Sequence, residues 1–245
     1  MTKDKKLDKY GNDLEQESIA DIYLFYPISD ILLGPLHNLG LKPNHITMMS
    51  TLFSIIAFYY YFYNDLLLTL IFYFLGYLLD CIDGRMARKY NQGSILGMIL
   101  DSTSDVLSNL PFLLIIILKS IYSIKNYGIV HNHKFYLFMI LSIICFYFSV
   151  AFGINEAIES YLKTNSDNFY EYKLKIIKKE NWDKTLIGKI FLNIYKQSYD
   201  SYRKIFPDEI NKDNIKLVRK RLLNLKEFGP GNYNVLLMLM LSLYS

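Results

Sequence analysis

Four apolar runs, at about 46–63, 66–79, 95–118 and 135–154, limit what this chain can fold into more than any other feature. Most approach the ~20 residues that a helix needs to cross a bilayer, and the second does so if its helix continues past Asp80. Helical spans pair all their backbone polar groups internally, which makes an all-α, polytopic membrane bundle the economical fold. With 52% hydrophobic residues, 22 Tyr and 16 Phe in 245, the composition is that of a membrane protein. Beyond Gly229-Pro230-Gly231, which looks like a helix-start break, a last apolar run from Tyr233 to Tyr244 is too short to span. The expectation is about four full spans plus a partial fifth. Pro111, six residues after Asp105, is expected to kink the third span.

Asp80, Asp83, Asp101 and Asp105 stand in or beside these apolar runs. An ionisable side chain at bilayer depth is expensive and marks a functional site by default. Four like charges stay close together and ionised only when cations sit among them. On a helix over 66–90, Asp80, Asp83, Gly84 and Ala87 fall at i, i+3, i+4 and i+7, a single face. On a helix over 94–118, Gly97, Asp101 and Asp105 are four apart and share a face, with Ser94, Ser104 and Ser108 nearby. The short polar turn Lys89 to Gly93 would then make the helices antiparallel and aim two carboxylate pairs at each other. Oxygen ligands of this kind select hard divalent cations such as Mg²⁺ or Mn²⁺. Gly84, Ala87 and Gly97 leave room for a bulky ligand, and Arg88 offers a fixed fork to phosphate oxygens.

Blander roles exist for each residue alone. An aspartate in an apolar helix also serves helix–helix hydrogen bonding, and small residues also serve close packing. Arg88 with Lys89 also fits the positive flank of a cytoplasmic loop. The common register of all these positions favours a diphosphate–metal pocket.

The string Asp80-x2-Asp83-Gly84-x2-Ala87-Arg88-x8-Gly97-x3-Asp101-x3-Asp105 resembles, at every fixed position, the signature of the class-I CDP-alcohol phosphatidyltransferases. The preceding Lys42-Pro43-Asn44-His45-Ile46-Thr47 is similar to a Pro-Asn-x-x-Thr segment common in that family, and the resemblance covers about residues 40–155. It implies transfer of a phospho-alcohol group from a CDP-alcohol to an acceptor hydroxyl with release of CMP, in phospholipid biosynthesis; the donor is first of all CDP-diacylglycerol, or else a soluble CDP-amino-alcohol used on a diacylglycerol acceptor. It further implies two Mg²⁺ or Mn²⁺ ions held by Asp80, Asp83 and Asp101. Asp105 would share one of them and act as general base. Gly84, Ala87, Arg88 and Gly97 would line the CDP site, with Asn44 and Thr47 nearby, although Asn44 also suits the cap of the first span. The family pattern implies a homodimer in the lipid bilayer, and no nucleic-acid partner is expected. Two other classes stay open: an inactive or truncated relative that binds CDP-lipid or a partner, and a cation transporter. The transporter ranks last, since it has no need of the Gly-x2-Ala-Arg spacing. The acceptor is chosen by residues outside the signature.

Segment boundaries follow from composition. A polar stretch over 1–18 lacks the apolar core of a signal peptide. Residues 19–154 form the catalytic core, opening with an interfacial amphipathic helix over 19–37 interrupted by Pro27 and Pro35. A basic cytoplasmic helical segment over 155–232 and the incomplete span 233–245 follow. Short amphipathic patterns mark Thr185–Tyr195 and Ile215–Phe228, and the basic run Lys216 to Arg221 suits anionic headgroups or an ordinary solvated face. Of the 27 Lys and Arg residues, all but Lys119, Lys125 and Lys134 fall on one side of a four-span arrangement. The positive-inside rule puts that side, with the amino terminus and the Arg88 turn, in the cytoplasm. Cys81 and Cys145, both in apolar surroundings, imply packing and no disulfide framework. His131 and His133 are expected to be an exposed pair without a metal role.

Overall fold

The computed structural model describes residues 17–127, 181–205 and 223–243, with a few isolated positions besides. Every element among the described residues is helical. The chain forms two compact units, one of residues 1–149 with 227–245 and one of residues 150–226. In the first unit a π-helical turn, Asp21–Phe25, runs directly into α1 (Tyr26–Asn38) and is followed by α2 (Pro43–Phe62), α3 (Leu66–Lys89) and α4 (Ile95–Tyr127). α5 (Leu186–Ile205) belongs to the second unit. A 3-10 turn, Lys226–Phe228, then leads to α6 (Pro230–Leu243) in the first.

Local chemistry sets most of these ends. Pro43 opens α2 after an extended Lys42, and its missing N–H costs nothing in a first turn. Asp65 caps α3 by accepting the Leu68 N–H at 3.1 Å, and Ser94 caps α4 by accepting the Gly97 N–H at 3.0 Å. Gly40, Asn64 and Asn91 supply the left-handed backbone at the three turns that join α1 to α4. The helix expected over 94–118 runs on to Tyr127, through Pro111. The interruption expected at Pro27 and Pro35 does not occur. Pro27 sits in the first turn of α1, and Pro35 lies inside the helix. Packing overrides propensity there, since Phe25 and Leu33 are fully buried in a core cluster.

By length and composition, one helix among the described residues, α3, is long and apolar enough to cross a membrane. His131, His133, Cys145 and most of the runs 135–154 and 216–221 lie outside the described residues. Cys81 is partly buried against the apolar cluster, as its packing role requires.

α2 packs along α3 and also against α4. Ala57, Tyr61, Tyr73 and Phe112 form one cluster with Tyr233, Leu237 and Leu241 of α6; the Tyr73 and Phe112 rings meet edge-on at 5.0 Å. Phe25, Leu33, Ile46, Leu78, Leu79, Ile82 and Met86 form a second cluster, which seats α1 on α3. There the buried Arg85 donates to Asp30 Oδ1 at 2.7 Å and lies over the Tyr26 ring.

The carboxy-terminal run is built into this unit, and its helix begins at Pro230, three residues before the expected boundary. Asp21 Oδ2 accepts the Gly231 N–H at 3.1 Å, Asn232 Oδ1 accepts the Ala20 N–H at 2.8 Å, and Tyr73 donates to Asn234. Gly231 is required for that contact. A Cβ there would stand under 3.0 Å from all three atoms of the Asp21 carboxyl group. At about 21 Å long, α6 is shorter than the ~30 Å hydrocarbon core of a bilayer.

In the second unit a 3-10 turn, Trp182–Lys184, precedes α5, which Thr185 caps by accepting the Gly188 N–H at 3.0 Å. Gly188 and Leu192 are buried, whereas Leu186, Ile187 and Ile190 are exposed. The Thr185–Tyr195 pattern is thus the start of a longer helix.

Candidate active site

Helical spacing brings the signature residues of α3 onto one face, and α2 forms a wall shared by α3 and α4. Asp80 and Asp83 of α3 and Asp101 of α4 each offer an oxygen, and the three oxygens lie within 4.8 Å of one another. Asp83 is buried at the back of this group, while Asp101 is exposed. A group of carboxylate oxygens, with no nitrogen or sulfur among them, matches the preferences of Mg²⁺ and Mn²⁺. The residues therefore fit the metal that the signature implies.

Hydroxyls of α2 hold both sides of the group. Thr47 donates to Asp83 Oδ2 at 2.5 Å and its oxygen also lies 3.1 Å from the Pro43 carbonyl. One turn further on, Thr51 donates to Ser104 at 2.8 Å, three residues past Asp101 on α4. An outer partner such as Thr47 fixes the orientation of a ligating carboxylate, and the Thr51–Ser104 bond ties α2 to α4.

Asp105 is not within the 4.8 Å group. It stands one turn past Asp101 on α4. Of the four aspartates, the oxygens of Asp80, Asp83 and Asp101 come together. The exposed Arg88 lies back over Gly84, its Nη1 3.5 Å from where a Cβ would stand.

Beside the carboxylates is a cavity of about 230 Å³. Of the predicted site residues, Asn44, Asp83, Gly84, Ala87, Gly97 and Asp101 line it, whereas Asp80, Asp105 and Arg88 do not. Gly97 was expected to leave room for the ligand. The room is instead taken by Asn44, whose Oδ1 would be 2.8 Å from a Cβ at that position. Asn44 is not the cap of its helix either, because α2 starts at Pro43 and the Lys42 N–H is met by His45 Nδ1 at 3.3 Å. Ser94, expected near this face, also lines the cavity, and so do Gln92, Gly93 and Met98, which were not anticipated. Ser94 was legible as a helix cap three residues before Gly97; Gln92 carried no local signal.

Residues 41–168, just over half of the chain, match the family model described as CDP-alcohol phosphatidyltransferase. The chain is similar to the probable CDP-diacylglycerol–inositol 3-phosphatidyltransferase 2 of Arabidopsis thaliana, 40% identical over 80 residues, which cover 33% of this chain and 34% of that protein. It is 36% identical over 78 residues to the archaetidylinositol phosphate synthase of Pyrococcus horikoshii, covering 32% and 42%. It is 41% identical over 91 residues to the CDP-diacylglycerol–inositol 3-phosphatidyltransferase of Candida albicans, covering 37% and 32%. The chain thus spans less than half the length of these curated relatives. No solved structure matches it.

Proposed function

The chain belongs to the CDP-alcohol phosphatidyltransferase family, and from that membership we propose that it moves a phosphatidyl group from CDP-diacylglycerol to an acceptor hydroxyl, releasing CMP. The observation that carries this reading is the oxygen-only group of Asp80, Asp83 and Asp101 beside a cavity walled by other signature residues. An inositol-type polyol is the acceptor to try first, because the Arabidopsis and Candida relatives are named for inositol.

Asp80, Asp83 and Asp101 would hold two divalent ions, which would supply Lewis acidity to the diphosphate and to the leaving CMP. Thr47 keeps the Asp83 carboxylate turned toward the group. Gly84 and Ala87 keep the cavity open, the Asn44 amide forms its wall against Gly97, and Arg88 offers its fork to a phosphate. Asp105, one turn past Asp101 on α4 and outside the three-oxygen group, takes the proton of the acceptor hydroxyl. The acceptor oxygen then bonds to the phosphorus that carries the lipid, and the diphosphate bridge to CMP breaks.

α3 is the span that carries the site, with α2 and α4 beside it in the membrane as a homodimer's core. Its Arg88 end faces the cytoplasm, where all but three of the Lys and Arg residues would lie. There the mouth is open to a soluble acceptor and to a lipid entering from the leaflet.

Detergent-purified protein with Mg²⁺ or Mn²⁺, labelled CDP-diacylglycerol and a panel of polar alcohols tests the proposal. CMP release that vanishes in Asp105→Asn, while metal binding survives, is the expected result. Tight metal-dependent CDP binding with no CMP from any donor would instead assign the chain to an inactive branch. Metal flux into liposomes without CDP would make it a transporter.

A further inference from the structure

The turn between α3 and α4 carries a polar side chain that the proposed reaction leaves unused. Gln92 lines the cavity, and its amide oxygen is buried without a hydrogen-bond partner among the described residues. Its backbone is firmly placed. Asn91, at φ 51, lets α3 close with the Gln92 N–H on the Ala87 carbonyl at 2.9 Å and the Asn91 N–H on Arg88 at 3.5 Å. Two residues later Ser94 caps α4. Directly before, the Tyr90 ring stacks on His37 of α1 with centroids 3.6 Å apart. Gln92 is therefore held between two helix ends, and recognition side chains work best on such rigid supports. A buried acceptor with no donor is costly, and a ligand that brings a donor removes that cost.

We propose that Gln92 selects the base of the donor nucleotide, its amide oxygen accepting from the exocyclic amino group of cytosine. The assignment rests on the transferase function proposed above and sharpens it. Cytosine and uracil share a ring and differ chiefly at position 4, where one has an amino donor and the other a carbonyl acceptor. An acceptor facing that position pairs with cytosine as it stands, whereas uracil opposes it with a second acceptor unless the amide turns over to present its N–H2 and gives up its placement here. Sites built around one hydrogen bond discriminate through such unmatched polar groups. The carboxylates that meet the diphosphate are blind to this difference. Discrimination falls to the cavity wall.

Titration of the detergent-solubilised full chain with CMP and with UMP, in Mn²⁺, tests this on wild type, Gln92→Met and Gln92→Glu. Wild type should prefer CMP by about ten- to a hundredfold. Gln92→Met should bring CMP down to the level of UMP and leave UMP nearly unchanged. Gln92→Glu, which keeps an acceptor oxygen, should retain the preference. Unaltered Mn²⁺ binding in both variants certifies the folded site. A CMP preference that survives in Gln92→Met, or equal losses of CMP and UMP there, overturns the assignment and leaves the transferase standing. Wild-type protein that binds neither nucleotide in Mn²⁺ overturns both.

Discussion

Thr47→Val removes one hydroxyl from the site and keeps the branched shape that packs in α2. Thr47 and Asp83 are 3% and 5% exposed, so water cannot replace the lost 2.5 Å bond to the carboxylate. Hydrogen bonds to charged groups contribute about 1.5–3 kcal/mol. At about 1.4 kcal/mol per factor of ten, the loss is about ten- to a hundredfold in metal affinity, the size of effect known for outer partners of metal ligands. The assay is the Mn²⁺ dependence of CMP release, paired with direct Mn²⁺ titration followed by electron paramagnetic resonance. Both curves should shift to higher metal, and Thr47→Ser should restore them. If Thr47→Val binds Mn²⁺ as wild type does, or if Thr47→Ser is equally impaired, the hydroxyl does not orient Asp83.

Gly97→Ala drives a methyl onto Asn44 Oδ1 and swings that amide off the cavity wall; CDP affinity should fall about tenfold with an unchanged melting midpoint, read by nucleotide titration and thermal scanning. Gly231→Ala forces its methyl into the Asp21 carboxyl group. That overpacking should cost about 1–3 kcal/mol and lower the midpoint by several degrees, at about 2–4 °C per kcal/mol. Burial raises the Asp21 carboxyl above its ordinary 3.8, against hydrogen bonds from Ser18, Tyr77 and Gly231 that lower it. The folded state therefore favours the protonated acid. The stability from that preference is complete below pH 3.8 and is lost as pH rises through the raised value. The midpoint difference between wild type and Asp21→Asn should accordingly shrink with rising pH, and a difference independent of pH would contradict it.

The site was legible in the amino-acid order wherever its cause was local. A 3.6-residue period puts Asp80, Asp83, Gly84 and Ala87 on one stripe whatever surrounds the helix. Likewise Pro43, Asp65 and Ser94 start helices through contacts within one turn. The same order misjudged Pro35, because the burial of Phe25 and Leu33 outweighs the defect a proline makes in α1. It let Asp105 share a metal, whereas the three oxygens within 4.8 Å of one another are those of Asp80, Asp83 and Asp101. Four residues advance a helix by about 6 Å, and only the approach of α4 to α3 says which of its aspartates meets the pair opposite.

Contacts between elements distant in the chain needed the folded molecule. Thr47 finds Asp83 across 36 residues, and Asp21 meets Gly231 across 210. Asn44 fills the space that Gly97 leaves, and the amide oxygen of Gln92 is buried at the same cavity. No residue's own preferences encode these meetings. They depend on which helix lies against which and at what rotation, and that is settled by the summed packing of α1, α2, α3, α4 and α6.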